Sequence, residues 1–153
     1  MAAKKVLINT VVEIESTAGS GTYEDYSAVF SEASLPFDRT MVESGTFGNA
    51  SQEETPGIFD LVLTCNLRPD ADGLLYAKLL TWFSDGVERG IKVKEKTGTI
   101  AASNLQSRCT RALIKNLPFG GARNSLASEG QITIRLNGGV TVDNGTTTVG
   151  VGT

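Results

Sequence analysis

Apolar positions recur mostly at every second residue along this chain. In IFDLVLTCNL (58–67), Phe59, Leu61, Leu63, Cys65 and Leu67 fall on one face, and Asp60, Thr64 and Asn66 on the other. Such a period of two predicts a strand with one face on a core. Ile58 and Val62 interrupt the opposite face, which is therefore only partly polar. The same reading predicts strands in KVLINTVVEIES (5–16), SAVFSEASLPF (27–37), VERGIKVKEKTGTI (87–100), SRCTRALIKNLPFGG (107–121) and EGQITIRLNGGVTVDNG (129–145). In the last, a second short strand follows the Gly-Gly pair. A Gly/Ser/Thr loop, 17–26, separates the first two.

One stretch breaks the period. In RPDADGLLYAKLLTWFSDG (68–86), Leu75, Leu79, Trp82 and Phe83 follow i, i+4, i+7 and i+8 spacing, which predicts a helix over about 71–85 with these four on its core face. Asp70 or Asp72 is placed to accept the free N–H groups of its first turn, and Gly86 to close it in a left-handed conformation. A lone helix in a β-patterned chain serves as a lid over an apolar sheet face.

DRTMVESGTFGNASQEETPG (38–57) shows little periodicity and is predicted to be a long loop. Loops of that length are functional or disordered. Met41, Val42 and Phe47 favour contact with a partner, because a solvated loop has no use for them. TTTVGVGT (146–153) has nothing in the sequence to anchor it and is expected to be a flexible tail after a single domain, 1–145.

Composition narrows the chemistry. The chain has 153 residues, enough for one core, with a net charge of -3 that argues against a surface built to grip nucleic acid. It contains no histidine, so a Ser-His-Asp triad or a histidine-built metal site is excluded. Cys65 and Cys109 are isolated, without metal-ligand spacing, and are expected to be buried, unbridged thiols in a reducing cytoplasm. GSG (19–21) and PFGGAR (118–123) lack the flanking residues of a phosphate loop. No base or nucleophile is positioned. No enzyme activity, cofactor or metal is expected. MAAKKVLINTVVEI breaks at Asn9 and Thr10 without a small-residue cleavage site, and reads as a strand, not a leader. No run is long enough to span a membrane as a helix. Lys92, Lys94 and Lys96 share one strand face, which is either a phosphate-binding row, a solvated face or a protected edge strand.

The order strand, helix (LLTWFSDG), strand and turn (GIKVKEKTGTI), then TRALIKNLPFGG and a closing EGQITIRL strand resembles the major tail proteins, the tail tube subunits of long-tailed bacteriophages. The resemblance covers roughly 57–140 and rests on the pattern of parts. It implies a mainly β fold, a β-sandwich or partial β-barrel flanked by one helix. It further implies six-membered rings whose sheets join into a continuous barrel, stacked into a tube. Six subunits giving four strands each, at a spacing of about 4.8 Å and a tilt of about 40°, would enclose a backbone diameter of roughly 45–50 Å. That is wide enough for duplex DNA to pass without specific binding.

On this resemblance Thr133, Arg135 and Asn137 would face the lumen, and loop 38–57, with Met41, Val42 and Phe47, would bridge to the next ring. Tape-measure and tail-terminator proteins would be partners. The subunit would be made in the bacterial cytoplasm and reside in the virion tail. The alternatives are a tube protein of a contractile tail or secretion-type injection machine, a tail-completion or decoration protein, and a monomeric β-rich binding domain that keeps its lysine face for a ligand.

Overall fold

The computed structural model describes residues 10–43, 48, 54–68, 73–120 and 130–153. Ten strands and one helix follow in chain order: β1 Val11–Glu15, β2 Tyr23–Asp25, β3 Phe30–Ser34, β4 Phe37–Glu43, β5 Glu54–Leu67, α1 Leu74–Asp85, β6 Arg89–Lys94, β7 Gln106–Asn116, β8 Gly130–Asn137, β9 Val140–Asp143 and β10 Thr148–Val151. Their spatial order is β2-β1-β6-β7-β8-β5-β3, with β4 also on β5, β9 on β7, and β10 on β9. Every ladder is antiparallel.

Leu63 of β5 and Ile91 of β6 line one narrow cleft, although β7 and β8 separate their strands in the sheet. The sheet therefore curls over its own apolar face. Val12, Ile14, Leu63, Cys65, Leu67, Ile132 and Ile134 fill the interior, and Leu79 and Trp82 of the helix close it. This is the mainly β class expected, an open, curled sheet with one flanking helix.

A bulge keeps β7 facing inward at both ends. Arg89 pairs with Ala112 while Ile91 pairs with Cys109, so β7 carries one extra residue there. The extra residue resets the side-chain parity, and Cys109, Ala112 and Ile114 are all buried.

The helix begins after Gly73 in a left-handed conformation, and Gly86 ends it by donating its N–H to the Trp82 carbonyl at 3.2 Å. Asp70 and Asp72 lie outside the described residues. Leu79 and Trp82 are buried and Leu75 is half-buried against them, but Phe83, predicted on the core face, is 45% exposed. The buried pair centres the face between Leu79 and Trp82, and one further residue turns Phe83 by about 100°, off that face. Two polar ties fix the lid: the Tyr76 hydroxyl donates to the Pro118 carbonyl at 2.6 Å, and Trp82 Nε1 to the Val87 carbonyl at 2.8 Å.

Three other expectations change. Residues 17–26 contain a strand, β2, and within the loop expected over 38–57, residues 38–43 belong to β4 and 54–57 to the start of β5, the two arms of a hairpin. The tail expected to be flexible includes β10, which pairs with β9 from Thr148↔Asp143 to Val151↔Val140. The turn between them is held by side chains: Asp143 accepts the Gly145 N–H at 2.7 Å, and Asn144 accepts those of Thr146 and Thr147 at 3.0 and 2.6 Å.

Glu15 ties the first strands together. It is buried, and its carboxylate accepts backbone N–H groups from Gly19 and Gly21 at 2.9 Å and from Gly90 at 3.2 Å. A side chain at Gly90 would displace the Tyr23 ring and its hydroxyl from their present position. Burial pushes the Glu15 pKa up, but the three N–H groups and the nearby Arg89 outweigh it and hold the value below the ordinary 4.5. The native state therefore binds fewer protons than the unfolded chain in mild acid. The stabilisation from Glu15 is complete above pH about 4.5 and is lost as pH falls through the lowered value. Glu15→Gln is expected to lower the unfolding midpoint at pH 7, and the gap to the parent should shrink in titrations taken to pH about 3.

Candidate assembly surfaces

β5 serves two sets of partners. Its second half pairs with β3 and β8, while its first half leaves the body and pairs with β4 alone, from Phe37↔Leu61 to Glu43↔Glu54. Every residue of β4 is exposed. So β4, the outer strand of this arm, has solvent on both faces. A two-stranded ribbon is marginal in water unless something packs on it. Met41 is 46% exposed, Val42 55% and Ile58 77%, and Phe37 is exposed beside them. Met41 and Val42 are consecutive, so they point to opposite faces of the ribbon. Phe47 lies outside the described residues.

The arm is stiffened at its root. A register shift between Arg39 and Met41 bulges β5 at Gly57, where a side chain would strike the Thr40 carbonyl. The Arg39 guanidinium lies 4.2 Å above the Phe59 ring. Asp38 and Asp60 stand directly opposite each other, a repulsive pairing, and Arg135 of β8 forms an ion pair with Asp60 that offsets it.

Thr133, Arg135 and Asn137 are half-buried and alternate with the buried Ile132, Ile134 and Leu136. They share the sheet face turned away from the core. Thr133 pairs with Thr64, Arg135 with Val62, and Asn137 with Arg111. Charges on this face are matched: Arg135 with Asp60, and Arg111 with Glu88 at 3.1 Å, which also accepts from Asn137 at 3.4 Å.

The lysine row is not an edge strand, since β6 lies between β1 and β7. Two of its members, both on β6, are engaged separately, and Lys96 lies beyond the strand. Lys92 sits 4.0 Å from the Tyr23 ring centre, and Lys94 donates to the Gly98 carbonyl at 2.9 Å.

Sequence reasoning missed a second apolar strip. Leu80 and Phe83 are both exposed and follow Tyr76 at i+4 and i+7, beside the buried face of α1, and the exposed Val87 lies just past the end of the helix. The spacing is visible in YAKLLTWFSDGV, but the buried face explains the same periodicity first.

Cys65 and Cys109 are buried, free thiols. Burial pushes Cys65 up to about 12 and raises Cys109 as well. Neither is a nucleophile at neutral pH. In native protein at pH 8, iodoacetamide should leave both unmodified over a period in which the unfolded chain is fully alkylated. Rapid labelling of Cys65 would contradict the packing described.

Among the described residues no cluster of metal-ligating side chains exists, and no helix is long and apolar enough to cross a membrane. No family model matches the sequence, and no curated relative matches it. Solved structures do. A chain of the sheath/tube terminator of PVC, an extracellular contractile injection system, superposes with a TM-score of 0.66 at 14% identity, over 93% of this chain and 98% of that one. A chain of the PVC sheath-tube complex gives 0.56 at 16% identity over 92% of both. The tube-terminating cap of the anti-feeding prophage gives 0.55 at 19% identity, over 94% of this chain and 93% of that one. Hcp1 from Flavobacterium johnsoniae gives 0.51 at 10% identity, over 94% and 99%. At these identities the likeness establishes the fold. The chain shares the β-rich fold of these injection-system chains and of Hcp1.

Proposed function

We propose that this protein is a structural subunit of a tail-type tube, assembling into stacked hexameric rings around a channel. One observation carries the reading: the fold matches tube-associated chains of injection systems over nearly the whole length of both partners. The architecture supports it. β2, β3, β4 and β10 each have one strand neighbour among the described residues, which leaves open edges for other copies to pair with. In this assembly the arm, with Met41 and Val42, bridges to the next ring. The face bearing Thr133, Arg135 and Asn137 lines the lumen, where matched charges let cargo slide.

In a phage tail that cargo is duplex DNA, with tape-measure and terminator proteins as partners and the virion as the location. In a contractile injection machine the same ring carries other cargo. A second reading, a terminator ring that caps such a tube, is favoured by the higher superposition score with the PVC terminator chain. Sedimentation velocity over a hundredfold concentration range separates these. A tube subunit gives a hexamer and then open-ended growth. A cap stops at one closed ring. A single species with the mass of one chain at every concentration overturns both.

A further inference from the structure

Charge is unevenly shared along the sheet. Every charged residue on β6 and β7 is basic: Arg89, Lys92, Lys94, Arg108, Arg111 and Lys115. On β4 and β5 every charged residue but Arg39 is acidic: Asp38, Glu43, Glu54 and Asp60. Some of these charges are matched within the chain, Arg89 by Asp85, Arg111 by Glu88 and Asp60 by Arg135. Two like-signed pairs are not. Glu43 and Glu54 stand directly opposite each other at the far end of the arm, and both are exposed. Lys92 and Arg108 stand directly opposite each other on β6 and β7. Like charges so placed repel.

The basic pair faces outward. Lys92 and Arg108 alternate with the buried Ile91 and Cys109, so they point away from the core, and Lys94 shares their face. Lys92 rests 4.0 Å from the centre of the Tyr23 ring instead of closing on Glu13, which stands opposite it on β1. Among the described residues no carboxylate ion-pairs with Lys92, Lys94 or Arg108, and no cation ion-pairs with Glu43 or Glu54.

We propose that these pairs are the two halves of one contact between copies, in which the carboxylates at the end of the arm dock on the Lys92–Arg108 face of a neighbouring chain. The inference rests on the tube reading and names the surface that the arm meets. The signs are opposite and the spacing is alike. Each pair is a directly opposed cross-strand pair, with side chains about 5 Å apart, so two carboxylates can meet two cations at once. Within one chain the pairs do not meet. β7 and β8 separate β6 from β5, and the end of the arm lies beyond the residues that β5 shares with β8. The contact uses different surfaces on its two sides, so it closes in a ring or continues from ring to ring. A single exposed ion pair is weak. Repeated around a ring, the same contact gains steeply, because the first to form holds the others in place. Docking also relieves two repulsions that the isolated chain carries.

The test compares charge-reversed full-length chains. One carries Glu43→Lys with Glu54→Lys, and the other Lys92→Glu with Arg108→Glu. Arg108→Glu alone repeats the second without moving Lys92 from the Tyr23 ring, and Lys115→Glu, an exposed cation at the far end of β7, is the control. Light scattering reads the concentration at which assembly begins. Each reversal is expected to raise it about tenfold or more, with the control unchanged and the unfolding midpoint of the isolated chain not lowered. Mixing the two reversed chains in equal amounts should bring the onset back to within about threefold of the parent, because each arm then meets a face of opposite sign. A contact made inside one chain could not be rescued by mixing.

Reversed chains that assemble like the parent would overturn the contact, as would a mixture that assembles no better than its parts. Electron microscopy of the parent is read in parallel. Parent tubes beside either of those results sink this contact alone, whereas a parent that never assembles sinks the tube reading with it.

Discussion

Trp82→Ala is expected to cost about 3–5 kcal/mol of folding stability. Trp82 is 1% exposed and sits at the centre of the lid. Truncation would open a cavity above the sheet and leave the Val87 carbonyl without the indole donor it now has at 2.8 Å. The Arg89 guanidinium, 6.0 Å from the indole centre, would lose an aromatic neighbour while remaining mostly buried. Phe83→Ala, one residue along but 45% exposed, should cost less than about 1 kcal/mol. Chemical denaturation of the two variants would show the contrast. Equal midpoints would mean that the helix is seated differently, with Trp82 outside.

Met41→Glu with Val42→Glu is expected to abolish tube growth while leaving the subunit folded. Both side chains are exposed on β4, none of whose residues is buried, so the pair should change the unfolding free energy by less than about 1 kcal/mol. On assembly the same positions would be covered from opposite faces of the ribbon. Burying two carboxylates there without partners costs several kcal/mol per contact. The variant should sediment as single chains or single rings at concentrations where the parent forms long tubes. Normal growth would assign ring stacking to other surfaces and leave the arm a passive projection.

The contrast between these two regions explains what the sequence could and could not reveal. Leu61, Leu63, Cys65 and Leu67 alternate because one side of β5 meets a core, and Ile132, Ile134 and Leu136 alternate on β8 for the same reason. Their burial writes the period of two into the chain. β4 has solvent on both sides, so nothing selects alternate residues, and DRTMVE reads as loop although all of it but Thr40 is in register with β5. β10 is hidden by the same effect, with Thr148, Val149 and Gly150 all exposed. Phe83 misled because a helix with apolar residues on two adjacent strips has one period and two destinations. Thr133, Arg135 and Asn137 were legible as one face of a strand. The pairing of Arg135 with Asp60 and of Arg111 with Glu88 was not, since it depends on which strands become neighbours.

Electron microscopy of concentrated, purified protein tests the central proposal most directly. The expected result is hollow tubes of stacked six-membered rings. Their wall should be continuous β-sheet, with α1 outside and the Thr133–Arg135–Asn137 face toward the channel. Fields of dispersed single chains at every concentration would contradict it, as would closed particles that bury the Arg135 face between subunits.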